Sequence, residues 1–298
     1  MTTLRIATRR SALALAQAEE VVGMLSASAF RSEVVPLSTS GDEGATATGS
    51  ASGMKGLWVD RIVEALRAGE VDLAVHSAKD LPVEDEEGVL IGAVPKRADP
   101  LDVLIGREER LVPGMVVGTS SLRRKAQLLA GFPGIAVTEI RGNVDTRLRK
   151  LAEGEVDGLV LAAAGLARLG VDPPHARRLK VDEMVPAPGQ GCLAIQVRED
   201  DRTTRAVVSV LDHLASRRAL EAERALTRLL GGGCDLPLGA FAAVKGDRIR
   251  MAAVVATADG AKVVRNGAES TEPGVVASTV AQRLRADGAD RILAELRG

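Results

Sequence analysis

A segment near residue 61 returns near residue 147, and this recurrence constrains the fold more than any other feature of the 298-residue chain. RIVEALRAGEVDLAVHSAKDLP (61–82) and RLRKLAEGEVDGLVLAAAGLARLG (147–170) share an amphipathic helical pattern, a Gly-Glu-Val-Asp step and an apolar strand. Upstream of each, a strand ending in Thr opens a helix through Ser: RIATRRSALAL (5–15) and VVGTSSLRRKA (116–126). The economical reading is two α/β domains of similar build. Asp99-Pro100 reads as a crossing between them, and VPAPGQGCLAIQV (185–197) as a return crossing that runs into a strand. The expected limits are residues 1–97 with 190–212 for one domain and 98–189 for the other. A hinged pair of this kind binds ligand between the carboxyl ends of its strands.

Beyond about residue 215 the pattern changes. SRRALEAERALTRLL (216–230) is an amphipathic helix stopped by Gly231-Gly232-Gly233. Short strands are expected around Ala240–Val244, Ile249–Ala256 and Ala261–Asn266, with helices over Val275–Arg285 and Ala289–Leu296. Residues 213–298 therefore read as a small α+β domain. The stretch GDEGATATGSASGMKG (41–56) has no periodicity and reads as a mobile loop.

At the N-terminus, Arg9-Arg10 and SALALAQA imitate the basic region, apolar run and small-residue cleavage site of a signal peptide. However, Leu4–Thr8 reads as a buried strand, and Ala12, Leu15, Ala16, Glu19 and Val22 continue with helical period. No apolar run approaches the ~20 residues of a membrane span. The reading is a cytoplasmic protein with no membrane partner.

One stretch concentrates charge. Gly118–Lys150 carries seven Lys/Arg against two acids in a chain whose net charge is −1. Arg123 and Arg124 follow the helix start Thr119-Ser120-Ser121, and Arg141-Gly142-Asn143 precedes a second helix bearing Arg147. Helix N-termini offer unpaired N–H groups, and hydroxyls with guanidinium forks add partners for carboxylates or phosphates. For any single arginine a solvated helix face is the commoner explanation; the whole cluster points to a polyanion site. Near-neutral total charge makes it a local device rather than a nucleic-acid surface. Aromatic residues at 1% leave no stacking platform for single strands.

Two further motifs stand out. HSAKDLP (76–82) places His76, Ser77, Lys79 and Asp80 just past an apolar strand, where Asp80 is either a cap, a partner of Lys79 or a reactive carboxylate. GGGCDLPLG (231–239) puts Cys234 on a glycine-rich loop able to approach another group closely, whereas Cys192 precedes an apolar strand and reads as core. Two cysteines do not make a disulfide framework. There is no P-loop, Rossmann fingerprint or metal-ligand spacing.

RIATRRSALALAQ, KGLWVD, HSAKDLP, GTSSLRR, RGNVDTRL, PAPGQG and GGGCDLPLG, in this order, resemble the porphobilinogen deaminase (hydroxymethylbilane synthase) family across essentially the whole chain. The resemblance implies two periplasmic-binding-protein-like domains and a third domain bearing a cofactor cysteine. It implies a monomeric transferase that condenses four porphobilinogen molecules, releasing ammonia, into a linear tetrapyrrole. It also implies a dipyrromethane cofactor held by a thioether to Cys234. Asp80 matches the catalytic aspartate. Lys79, Asp80, Thr119, Ser120, Ser121, Arg123, Arg124, Gly142 and Arg147 match cofactor contacts. Arg9, Ser11, Lys55, Arg141, Arg168 and Gln190 match substrate contacts, and His76 and Ser77 align with cleft residues. The chain departs from the pattern at Ala51–Met54, Trp58 and Leu101.

Two other classes remain open on the residues alone. A non-catalytic cytosolic anion-binding module would share the doubled domain and arginine-lined cleft but leave Cys234 and the third domain unexplained. A thiol enzyme would use Cys234 with His76, His175 or His213, none of which sits in a recognisable partner motif.

Overall fold

The computed structural model describes residues 3–38, 61–108, 110–232 and 236–296. Lys55, Cys234 and the expected loop 41–56 fall outside these residues. The chain opens with β1 (Leu4–Arg9), α1 (Ala12–Ala27), β2 (Ser32–Leu37), a helix α2 covering 61–67, β3 (Leu73–Ser77) and β4 (Val89–Ala93). It continues with β5 (Asp102–Gly106), β6 (Val116–Gly118), α3 (Leu122–Gly131), β7 (Ala136–Thr138), α4 (Val144–Glu153), β8 (Gly158–Ala162), α5 (Ala163–Arg168) and β9 (Ala176–Leu179). It then returns through β10 (Leu193–Arg198) and α6 (Arg202–Ser209).

The two halves form sheets of the same plan, β2-β1-β3-β10-β4 and β7-β6-β8-β5-β9. In each, the first three strands are parallel and the last two pairings antiparallel. The antiparallel interior strand is in both cases a crossing strand: β5 enters the second sheet, and β10 returns to the first. Apolar layers cover both faces of each sheet, with Ala7 and Ala74 in one layer of the first sheet and Ile6 and Leu73 in the other. Continuous apolar strands such as LAVHS and GLVLA suit such doubly covered sheets.

The repeated Gly-Glu-Val-Asp step is structural. Gly69 and Gly154 take left-handed conformations, φ 69° and 83°, just past α2 and α4, which L side chains disfavour. Val71 and Val156 then enter the core. The Asp carboxylates accept the backbone N–H of the neighbouring strand, Arg5 N to Asp72 Oδ2 and Val116 N to Asp157 Oδ2, both at 2.8 Å. One feature differs from the sequence reading. Helix α1 is present, capped by Ser11, but its buried stripe is Ala14, Gln17, Ala18, Val21 and Leu25 rather than the face through Ala12, Leu15 and Glu19. Its weak segregation of apolar from polar residues left the stripe ambiguous, and packing on the sheet decides it.

The third unit is an antiparallel sheet of β11 (Leu238–Lys245), β12 (Arg248–Ala256) and β13 (Val263–Ser270). It shares one core with α7 (Leu214–Leu229), α8 (Pro273–Ala286) and α9 (Ala289–Glu295). Leu220 on α7 turns instead into the core of the first unit.

The two crossings touch, Ala98 N donating to Gly191 O at 3.2 Å. Gly191 must be glycine there, because an added Cβ would stand 2.7 Å from Ala98 O. From α7, the fully buried Glu223 ties both crossings to the third unit. It accepts from Arg97 at 2.6 and 3.2 Å, from Gly189 N at 2.6 Å and from Ala242 N at 2.7 Å. Glu223→Gln removes the charge opposite a nearly buried guanidinium, and breaking such a pair costs about 3 kcal/mol or more. Denaturant titration should show this loss; an unchanged midpoint would mean that the pair contributes nothing net.

Candidate active site

HSAKDLP and GTSSLRR, from different sheets, meet beside the crossings. After β3, a single 3-10 turn (Ala78–Asp80) carries Lys79 and Asp80. The return crossing supports it: Ala78 N donates to Cys192 O at 3.0 Å, and a Cβ on Gly189 would lie 3.0 Å from Lys79 N. Lys79 and Asp80 are both half-buried. The equivalent turn of the second sheet, placed by the pairing of Ile6 with Leu73 and of Val117 with Gly158, carries Ala164 and Gly165. The duplication thus leaves the charged pair on one side only.

On the other side, Ser121 caps α3 by accepting Arg124 N at 3.4 Å. Thr119 Oγ1 accepts Ser121 N, and the Ser120 hydroxyl donates to Ile140 O, so all three hydroxyls shape the turn. Arg123 and Arg124, 5% and 7% exposed, converge on the fully buried Asp102 at the start of β5. Arg123 Nη1 donates to Asp102 Oδ2 at 2.7 Å, while Arg124 donates to Oδ1 through Nε at 3.0 Å and Nη2 at 2.8 Å. Gln190 Nε2 adds a bond to Oδ1 at 3.0 Å, leaving its own Oε1 buried without a partner.

Cations outnumber anions around this junction. Burial pushes the Lys79 ammonium down to about 8, with Asp80 opposing, and Arg123 and Arg124 lie close enough to add to the shift. Burial likewise lowers Arg147, helped by Arg124. Burial holds His76 at about 4, so its imidazole is neutral near pH 7. Cations gathered at a partly buried junction in excess of their acids make a site that an anion would complete. In protein free of any bound anion, Lys79 should titrate near pH 8, and a polycarboxylate should move that midpoint up. NMR of methyl-labelled lysines reads this directly. An ordinary midpoint near 10.4, unmoved by ligand, would show that Lys79 does not face the anion.

The remaining candidates lie around this centre. Arg147 Nε donates to Gly142 O at 2.8 Å. Arg141 is exposed and paired with Glu139 at 2.7 Å. Arg9 contributes to the field at His76, and Ser11 caps α1. Arg168 pairs with Glu20 at 2.7 Å. Cys192 is fully buried, and burial pushes its thiol up to about 12, an inert core cysteine. Asp102, Glu20 and the Arg97–Glu223 pair escaped the sequence reading. For Asp102 the available signal was an acid at the mouth of the apolar run VLIG.

Residues 4–206 match the family described as porphobilinogen deaminase, dipyromethane cofactor binding domain, and residues 218–286 match the porphobilinogen deaminase C-terminal domain. The chain belongs to the porphobilinogen deaminase family. Similar curated relatives include porphobilinogen deaminases of Brevibacillus brevis, 43% identical over 98% of this chain and 97% of that one. The Desulforudis audaxviator protein of the same name is 45% identical over 98% and 97%. Among solved structures, the second substrate binding domain of a putative amino acid ABC transporter from Streptococcus pneumoniae overlaps 77% of this chain and 95% of its own, at 11% identity and a TM-score of 0.43.

The family's cofactor is a polycarboxylate, and the donor set fits it. Lys79 on its turn, Arg123 and Arg124 at the start of α3 and Arg147 on α4 offer charge in excess of what Asp80 and Asp102 neutralise.

Proposed function

We propose that this chain condenses four porphobilinogen molecules, with release of ammonia, into the linear tetrapyrrole hydroxymethylbilane. The observation that carries the reading is the meeting of Lys79 and Asp80 with the cation-rich start of α3 beside the two crossings. When bound through Cys234, the dipyrromethane supplies the pyrrole chain that is extended. Lys79, Arg124, Arg147 and the junction Thr119–Ser121 would hold its carboxylates, with Arg123 and Gly142 shaping the floor. Arg9, Ser11, Lys55, Arg141 and Arg168 would receive the carboxylates of incoming substrate. Gln190, expected among them, is buried with its amide nitrogen donating to Pro100 O and Asp102, so it would support the site by holding Asp102.

Asp80 has the chemical part. As the aminomethyl nitrogen departs, positive charge develops on the substrate pyrrole, and a fixed carboxylate offsets it while accepting the ring N–H. Lys79 beside it keeps Asp80 from being the sole charge in a half-buried site. His76, neutral near pH 7, adds no competing cation.

The domain limits we infer, 1–97 with 190–212, 98–189 and 213–298, follow the strand order of the sheets. A cytoplasmic monomer without nucleic-acid or membrane partners belongs to the same reading. Among the described residues no helix is long and apolar enough to cross a membrane. Incubation with porphobilinogen tests the proposal: one ammonia should appear per substrate consumed, with hydroxymethylbilane as product. Binding without ammonia release would reduce the chain to an anion-binding protein.

A further inference from the structure

Among the carboxylates that hold arginines around the crossings, Asp102, Glu223 and Glu20 are separated by their burial. Asp102 and Glu223 are 0% exposed and satisfied by several donors each, so neither can let go without leaving buried charge. The third differs. Glu20, on α1, has a side chain 33% exposed, and it meets Arg168, on α5, whose side chain is 8% exposed. Arg168 Nε donates to Glu20 Oε2 at 2.7 Å, and its Nη2 reaches toward Gly191 O at 3.4 Å. Helix α1 packs on the first sheet and α5 follows the last parallel strand of the second, so the bond spans the two halves, and the contact with Gly191 O sets it beside the return crossing. The helices also touch through carbon, a Cβ on Gly165 falling 3.7 Å from Leu13 Cδ2.

We infer that Glu20 is an exchangeable latch: it occupies Arg168 when no ligand carboxylate is present and is displaced as the growing pyrrole chain brings one. The inference rests on the reading above that Arg168 receives substrate carboxylates. The side chain of Glu20 presents the same group as the ligand, on the same guanidinium, from a position open to water. Exchange therefore conserves the charge-assisted bond at Arg168, while the tie between α1 and α5 is released. Displacement has a consequence for affinity. A latch that leaves the competent state as a minor fraction weakens apparent binding by that fraction. A partly exposed pair sets this at about 2- to 5-fold.

Glu20→Gln in the cofactor-loaded protein should lower KM for porphobilinogen by that factor of about 2 to 5. It should also prolong the late enzyme-bound intermediates in mass spectra and speed hydrogen exchange in α1 and α5 of the resting protein. A purely structural tie predicts a lower melting temperature with wild-type KM, kcat and intermediate distribution, and that result would overturn the latch. Arg168→Leu, measured in parallel, separates the two layers. If it leaves elongation unchanged, the substrate role of Arg168 fails, and the latch with it. If it stalls elongation while Glu20→Gln changes neither KM nor the intermediates, the latch alone fails.

Discussion

Asp80→Asn should fold, retain the cofactor and lose at least roughly 100-fold in turnover, the scale of removing one preorganised electrostatic partner. Asparagine keeps the shape and one acceptor oxygen but not the charge that opposes developing cationic character on the pyrrole. The turn that carries Asp80 is held from below by backbone, through Ala78 N to Cys192 O and the close approach of Gly189. These backbone supports are kept in the variant, so the turn has anchors beyond the carboxylate. Asp80→Glu keeps the charge at a displaced position and should retain a small residual rate. If Asp80 merely ends the 3-10 turn or pairs with Lys79, the variant loses about 1 kcal/mol of stability and turns over almost normally. Melts and steady-state assays on one preparation decide between these.

Asp102→Ala should be the most destabilising single change near the site, by at least about 5 kcal/mol, because it strands two buried guanidiniums at once. The loss should reach function indirectly. Arg123 Nη1 also donates to Val185 O and Arg124 Nη1 to Val160 O, so the freed arginines would disturb the return crossing and β8 as they seek partners. The pH dependence has a definite sign. Burial pushes the Asp102 carboxyl up, but Arg123, Arg124 and the Gln190 amide reverse this and hold it well below the usual carboxylate range. Its stabilising contribution is therefore complete above the unfolded value of about 4 and is lost as pH falls below it. Stability curves of the wild type and of Asp102→Asn should converge on acidification below about pH 4. Parallel curves across that range would show that Asp102 is not the titrating partner of the two arginines.

Much of the fold could be read from local pattern. The recurrence of Gly-Glu-Val-Asp at 69–72 and 154–157 anticipates two sheets of one plan, because Gly, Val and Asp each do the same local work in both copies. Ser11, Ser121 and the junction at Asn143 mark helix starts where the structure has them. The amphipathic α7 and the first two strands after it lie where they are expected, while β13 begins two residues later than expected and runs on to Ser270. What escaped depends on contacts between distant residues. A positive cluster at 118–150 says nothing of Asp102, which enters from a crossing strand and already engages Arg123 and Arg124. These two arginines are thus more structural than a solvated basic face would be. Glu223 and Glu20 sit on helices whose sequences look ordinary, and their partners lie 126 and 148 residues away. No window of sequence reports such a pair. The choice of buried stripe on α1 is likewise settled only by the sheet beneath it.

On the proposed reading, a dipyrromethane is held covalently on Cys234 and extended there. The two cysteines make the assignment sharp, since Cys192 is fully buried with its thiol pushed up to about 12 and is a poor nucleophile. The intact mass of the purified protein, followed by mapping of its peptides, tests the claim most directly. The expected mass is two pyrrole units above that of the chain, with the addition on the peptide containing Cys234. An active preparation with the bare chain mass, or an adduct on Cys192, would contradict it.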